Sequence, residues 1–288
     1  MKQEWEKQLD IDGIKSITPV AGGSINEAYE VTAKDVTYFL LVQPRTDQSF
    51  YNAEVEGLEL FEKHDITAPK VIDVGEFNGN AYLLLSYLKE GRNGDQGELG
   101  RLVAKLHQVH NEQGKFGFDY ATEMDDVSFS NEWTDTWYEQ FMTQRIDYLY
   151  EKIKQAGYWT EAETQLADQV YQIMSTTLKN HESEPSLLHG DLWAGNRMFL
   201  TDGRAALFDP APLYGDREFD LGATLTFGGF NQKFYNAYDE AYPLKEGAWE
   251  RIEYYNLYLL LVHLVKFGSS YAGSVNQSMN KIVQQSTQ

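Results

Sequence analysis

Three oxygen-bearing side chains define the chemistry this chain can do: Asp191, Asn196 five positions on, and Asp209 thirteen beyond that. The first two lie in His189-Gly190-Asp191-Leu192-Trp193-Ala194-Gly195-Asn196, the third in Phe208-Asp209-Pro210. Phosphoryl transfer to an alcohol needs a carboxylate near the attacking hydroxyl and oxygen ligands for magnesium. An Asp, an Asn five residues later and a further downstream Asp supply both. A Gly- and Asp-rich turn between strands requires neither the Asn nor the later Asp.

Such groups converge only if the surrounding elements hold them. Ser186–His189 reads as a strand entering the motif, and Arg197–Leu200 and Ala205–Phe208 as strands around a Thr201-Asp202-Gly203 turn. Asp209 then sits at a strand end. Residues 1–90 read as β-rich with one helix, and residues 91–288 as mostly helical. In the first part, Glu27–Thr32 and Val36–Val42 form a hairpin behind Gly22-Gly23-Ser24, a turn whose backbone N–H groups can approach a phosphate. A helix over 50–63 carries Glu54 in its first turn, and Lys89–Gly97 is the polar connection between the parts. Further helices are expected at 99–110, 131–155, 163–181, 231–242 and 247–271, the last two completing the fold. Trp133, Trp137, Phe141, Ile146 and Leu149 are read as core residues of the second of these. His107 and His110, three apart, read as core or boundary histidines rather than a metal pair.

The chain has 288 residues, enough for one large domain or two lobes, with 42% hydrophobic and 24% charged residues. It has no cysteine, which excludes disulfide and thiol chemistry and suits a reducing cytoplasm. Neither a signal-peptide core nor a membrane-length apolar run is present, so a membrane partner is not expected. The formal net charge of −20 repels phosphate backbones and argues against nucleic acid. It favours cationic acceptors at long range.

The chain resembles the fructosamine kinase (ketoamine kinase) family, within the kinase-like group that includes aminoglycoside and choline kinases. The resemblance rests on Leu187–Asn196 (LLHGDLWAGN), Phe208-Asp209-Pro210-Ala211, Tyr214–Gly222 (YGDREFDLG), and Thr226–Phe230. Asn131-Glu132-Trp133 with Trp137, Phe141 and Arg145, Gly22–Ile25 and Glu54–Leu58 also fit, so it covers nearly the whole chain. It implies an α+β, bilobal protein-kinase-like fold, with a small β-rich N-lobe carrying one helix and a larger helical C-lobe. It implies ATP and Mg2+, and phosphorylation of a sugar hydroxyl on a glycated amine of fructosamine, ketoamine or ribulosamine type. Carried over by position, Asp191 is the catalytic Asp, and Asn196 and Asp209 hold magnesium. Gly22, Gly23, Ser24 and Glu54 serve the nucleotide, and Trp193 walls the sugar pocket. His189 and Asp220 support the loop from behind. Asp216 stands where the family commonly has His.

One position departs from the pattern. The family's second hairpin strand carries a lysine that contacts the α- and β-phosphates and pairs with the helix Glu. Here Tyr38-Phe39-Leu40-Leu41-Val42-Gln43 places Leu41 there. Gln43 and Arg45 share its face by alternation, but Arg45 lies roughly 13 Å along the strand. Two alternatives therefore stand beside the glycated-amine kinase. One is a degenerate kinase fold that binds nucleotide or a partner without turnover. The other is a kinase for a different cationic alcohol, aminoglycoside-like or choline-like.

Overall fold

The structure, a computed structural model, describes residues 5, 7–9, 11–20, 26–124 and 127–287. The chain divides into two compact units, Met1–Gly94 with Met198–Phe208, and Asp95–Arg197 with Asp209–Gln288.

The first unit is built on a five-stranded antiparallel sheet in the order β1-β2-β3-β5-β4. Its strands are β1 (Ile14–Pro19), β2 (Glu27–Ala33), β3 (Val36–Gln43), β4 (Val71–Phe77) and β5 (Asn80–Ser86). These segments are rich in the β-branched and aromatic residues that suit a half-buried pleated surface. The β4–β5 turn is Asn78-Gly79, both at positive φ, as a two-residue hairpin loop demands. Period-2 alternation sends Leu40 and Val42 into a buried cluster with Trp5, Leu9, Ile14, Val31, Ala33, Tyr82 and Leu84. Each such fully buried aliphatic side chain stabilises by roughly 1.5–3 kcal/mol. Phe39, Leu41 and Gln43 therefore face the opposite side. A 3-10 turn at Gln48–Tyr51, capped by Asp47, leads into α1 (Asn52–Lys63), which buries Gly57, Leu58 and Phe61. The hairpin of β9 (Arg197–Phe199) and β10 (Ala205–Leu207) is tied to this unit through backbone bonds. Gly91 N donates to Phe199 O (2.7 Å), Thr201 N to Lys89 O (3.1 Å) and Leu207 N to Thr67 O (2.9 Å).

The second unit is mostly helical. Asp95 caps α2 (Gln96–His107) by accepting from Gly97 N at 2.7 Å, so this helix starts three residues earlier than its apolar periodicity suggests. A short hairpin, β6 (Thr122–Met124) and β7 (Val127–Phe129), follows. The helix expected over 131–155 begins only at Trp137. Its segment Glu139–Ile146 is π-helical before α3 (Asp147–Ala156). Trp133 consequently lies off the helix, 42% exposed, donating Nε1–H to Asp119 Oδ1 at 2.7 Å. The reading of the helix aromatics as core holds for Trp137 and Phe141 and fails for Trp133. Gly157, at φ 67°, ends α3, and a Thr160–Glu163 capping box opens α4 (Glu161–Asn180).

Two buried strands, β8 (Ser186–Leu188) and β11 (Leu213–Gly215), pair antiparallel beneath the motif. The helices α5 (Glu218–Thr226), α6 (Gln232–Ala241), α7 (Ala248–Phe267) and α8 (Ala272–Gln285) complete the unit. Neither α5 nor α8 was expected from the sequence. For α8 the signal was nonetheless present, since its buried Val275, Met279 and Ile282 recur at helical spacing. Trp137, Phe141, Phe219, Tyr255 and Tyr258 pack ring to ring at 4.9–6.2 Å between centroids. Among the described residues, no helix is long and apolar enough to cross a membrane.

Candidate active site

The motif loop is suspended from one carboxylate. β8 delivers the chain to His189, and Asp220, in the first turn of α5, accepts His189 N at 2.7 Å and Gly190 N at 2.9 Å. On its other side Asp220 Oδ2 meets His107 Nε2 at 3.0 Å, and His107 Nδ1 meets the Tyr238 hydroxyl at 2.8 Å. A carboxylate only accepts, so Nε2 carries the proton and Nδ1 accepts from Tyr238. Asp220 and His107 are fully buried. His107 is thus a core residue, as expected, and a support for the motif. His110 lies apart from it, exposed near Tyr242 and Glu184. Spacing gave no sign of the His107–Asp220 contact, which spans 113 positions.

Gly190 takes φ 82° where the chain turns sharply, and a Cβ there would lie 1.7 Å from Ala211 O. The same crossing is closed by Ala211 N donating to His189 O at 2.9 Å. Gly190→Ala therefore combines a left-handed strain with a backbone clash, and we expect it to cost at least about 2 kcal/mol. Urea denaturation checks this; a variant as stable as the wild type would contradict the local geometry.

Asp191 follows, its N donating to His189 Nδ1 at 3.3 Å. Asn196 Nδ2 donates to Asp191 Oδ2 at 2.9 Å and to Asp191 O at 3.0 Å. This closes the loop and fixes the carboxylate. With its amide NH2 turned to Asp191, Asn196 offers Oδ1 as an oxygen ligand for a cation. Asp209 stands in a left-handed conformation, φ 55°, which is strained for a non-glycine residue. Burial, then the charge of Asp209, push Asp191 up to about 6, against the hydrogen bond from Asn196. Asp209 is also raised, by burial, although its surface remains exposed. Two carboxylates and an amide oxygen, with excess negative charge partly withdrawn from water, suit a hard divalent cation such as Mg2+.

Trp193, 40% exposed, is no core aromatic. Its ring covers Gly195, where a Cβ would come within 2.2 Å of it, and meets Phe227 edge-on at 6.4 Å. Asp216, the position that departs from the family's His, is buried. Burial alone would raise it, but His181 (2.7 Å) and Ser183 (2.6 Å) hold it low. Beside it Glu218 makes a bidentate pair with Arg251 at 2.7 and 2.8 Å. His181, Asp216 and Glu218 lie close enough to hold a metal ion, but their charges are already met by hydrogen bonds and by Arg251.

In the first unit, Leu41 pairs with Ala28 on one side and Leu83 on the other. Arg45 lies beyond the end of β3, its N bonded to Asn80 Oδ1 at 3.0 Å. Buried Gln43 Oε1 has no protein hydrogen-bond partner on that same face. Glu54 lies in the first turn of α1, as expected. Gly22, Gly23 and Ser24 fall outside the described residues.

Residues 1–285 match the fructosamine kinase family. A Staphylococcus aureus protein named "Probable ketoamine kinase" is 52% identical over 287 residues, spanning 100% of both chains. The crystal structure of a "Putative fructosamine-3-kinase" from Haemophilus somnus superposes with a TM-score of 0.81. It is 30% identical, with 93% of this chain and 91% of that one covered. A thermostable mutant of the aminoglycoside phosphotransferase APH(4)-Ia, in complex with AMP-PNP and hygromycin B, shares the fold at 14% identity. Its TM-score is 0.68, with 99% and 98% of the chains covered. The protein-kinase-like α+β fold and the Asp191–Asn196 loop thus have their context: this chain belongs to the fructosamine kinase family and is a phosphotransferase.

Proposed function

We propose that this protein transfers the γ-phosphoryl group of ATP to a sugar hydroxyl of a glycated amine of the fructosamine or ribulosamine type. The observation that carries the reading is Asp191, its carboxylate fixed by Asn196 and its loop hung from Asp220. Family membership and the ketoamine-kinase name of the S. aureus relative support the acceptor class. The AMP-PNP complex of a protein with the same fold supports the nucleotide.

Asp191 orients the acceptor hydroxyl and accepts its proton as the oxygen attacks phosphorus and the bond to the ADP oxygen breaks. Burial, then the charge of Asp209, raise the Asp191 carboxyl above the usual carboxylate range, which makes it a better acceptor for that proton. Asn196 Oδ1 and Asp209 hold Mg2+, whose charge neutralises the phosphates. Trp193 offers the sugar a flat apolar wall. Gly22, Gly23, Ser24 and Glu54 serve the nucleotide in the first unit. The rest is positioning and electrostatics, which suffices for phosphoryl transfer.

The test is a steady-state assay with ATP, Mg2+ and a panel of fructosyl, ribulosyl and erythrulosyl amines. We expect turnover on at least one class, abolished by EDTA and restored by Mg2+. Phosphorylation of aminoglycosides or choline alone, or turnover that survives EDTA, would overturn the reading.

A further inference from the structure

A cavity of about 190 Å³ opens in the second unit against the two elements that suspend the motif. Ser186 of β8 and Glu218 of α5 both line it. The chain runs on from Ser186 to His189 and from Glu218 to Asp220, the pair whose hydrogen bond holds the loop. The segments that follow α4 and α6 supply the other walls. A single buried water needs only roughly 15 Å³, and a drug-sized ligand about 300 Å³ or more, so the space suits a small molecule.

Two buried groups in the lining are left over after the internal pairs are made. Asp216 accepts from His181, Ser183 and Glu218 N, and Glu218 is paired with Arg251. Arg217, 8% exposed, donates to the carbonyls of Tyr242 (2.7 Å) and Pro243 and lies over the Tyr242 ring, 3.7 Å from its centroid. Among the described residues it has no carboxylate partner. Ser186 is fully buried, and its Oγ has no hydrogen-bond partner. A buried hydroxyl without a partner has lost its hydration for nothing, so in a polar cavity it marks a place where a ligand or water belongs. A guanidinium and a hydroxyl are together a fit for a carboxylate.

The rim has the opposite bias. Glu182, Glu184 and Lys245 are exposed there. Lys245 Nζ donates to Glu182 O at 3.2 Å, and the Tyr242 hydroxyl to Glu184 Oε2 at 3.0 Å. Among the described residues neither glutamate pairs with a lysine or arginine, so two carboxylates stand at the rim against one ammonium. A simple anion would meet these glutamates, and a simple cation would meet Arg217. A molecule with a carboxylate at its inner end and an ammonium at its outer end matches both.

We propose that this cavity binds a small free α-amino acid, its carboxylate on Arg217 and the Ser186 hydroxyl and its ammonium at Glu182 and Glu184. None of these residues takes part in phosphoryl transfer, and the proposal does not depend on the glycated-amine reading. L-Alanine, propionate and ethylamine test it, since the second lacks the ammonium and the third the carboxylate. Isothermal titration of the wild type at pH 7.5 is expected to show saturable binding of L-alanine with a Kd of about 1 mM, and binding at least about tenfold weaker for either analogue. Ser186→Ala removes a hydroxyl that has no partner in the fold, so this variant should unfold at the wild-type temperature yet bind L-alanine about tenfold more weakly. Glu184→Gln, at the exposed rim, should weaken L-alanine while leaving propionate unchanged. Absence of saturable binding up to about 50 mM L-alanine overturns the proposal. So does propionate or ethylamine binding as tightly as L-alanine, since one charge would then suffice. Wild-type affinity for L-alanine in both folded variants would place the amino acid elsewhere and leave this cavity to water.

Discussion

Asp191→Asn is expected to abolish turnover and, in the absence of Mg2+, to make the folded protein more stable at neutral pH. Loss of the carboxylate removes the proton acceptor, and we expect kcat to fall by at least about a thousandfold. The gain in stability follows from the raised pKa. Burial and Asp209 move Asp191 from an ordinary 3.8 to about 6, so the folded chain holds this proton more tightly than the unfolded chain. That contribution to stability is complete below about pH 3.8 and is lost as the pH rises through about 6. An asparagine never ionises and never incurs the loss. The rise corresponds to about 3 kcal/mol, an upper figure because Asp191 keeps partial access to water. The amide that replaces the carboxylate still presents an oxygen to Asn196 Nδ2, so the loop keeps its closure. Urea denaturation with EDTA should show the variant ahead above pH 6 and the difference shrinking towards pH 4. A variant of unchanged or lower stability at pH 7.5 would contradict the electrostatic account.

Asp220→Ala should harm both fold and catalysis, in contrast to Asp191→Asn. It leaves His189 N, Gly190 N and His107 Nε2 without their acceptor in a fully buried position. Removing one partner of such a network costs about 3–5 kcal/mol. The loop that carries Asp191 then loses its anchor, and small misplacements of a catalytic group cost on the order of a hundredfold in rate. The two effects separate by measurement: denaturation reports the first. The second is a fall in kcat under conditions where circular dichroism shows the variant folded, with the KM for ATP changing less. A folded Asp220→Ala enzyme with wild-type kcat would show that Asp220 does not position the loop.

The sequence made the motif readable because its key contact is local. Asp191 and Asn196 are five positions apart, and hydrogen bonds between those two residues help close the loop. The strand hairpin was readable for the same reason, since alternation along β3 fixes which side chains share a face. What failed to show were contacts set by tertiary packing. His107 reaches Asp220, and Tyr238 reaches His107, only because α2 packs on α6 so closely that a Cβ on Gly100 would lie 2.3 Å from Phe234 O. The helix starts past Trp133 because Thr134 is bridged to Phe116 through paired backbone bonds of 2.8 and 3.0 Å, a contact across 18 positions that periodicity does not announce. Buried Arg145, bonded to Asn131 Oδ1 and Gln140 O, was readable only as part of a family pattern. The exposure of Trp193 and Phe267 was also beyond periodicity, which marks apolar residues but not those left facing water.

We propose that the Asp191–Asn196–Asp209 set transfers phosphate from ATP to a ketoamine although Leu41 stands where the family resemblance implies a lysine. Phosphorus NMR of a reaction containing the protein, ATP, Mg2+ and ribulosyl or fructosyl amines tests it most directly. We expect a new phosphomonoester coupled to a sugar proton, formed with the wild type and absent with Asp191→Asn. Binding of ATP and Mg2+ with no phosphomonoester on any ketoamine would contradict it, and would leave a kinase fold that holds nucleotide without using it.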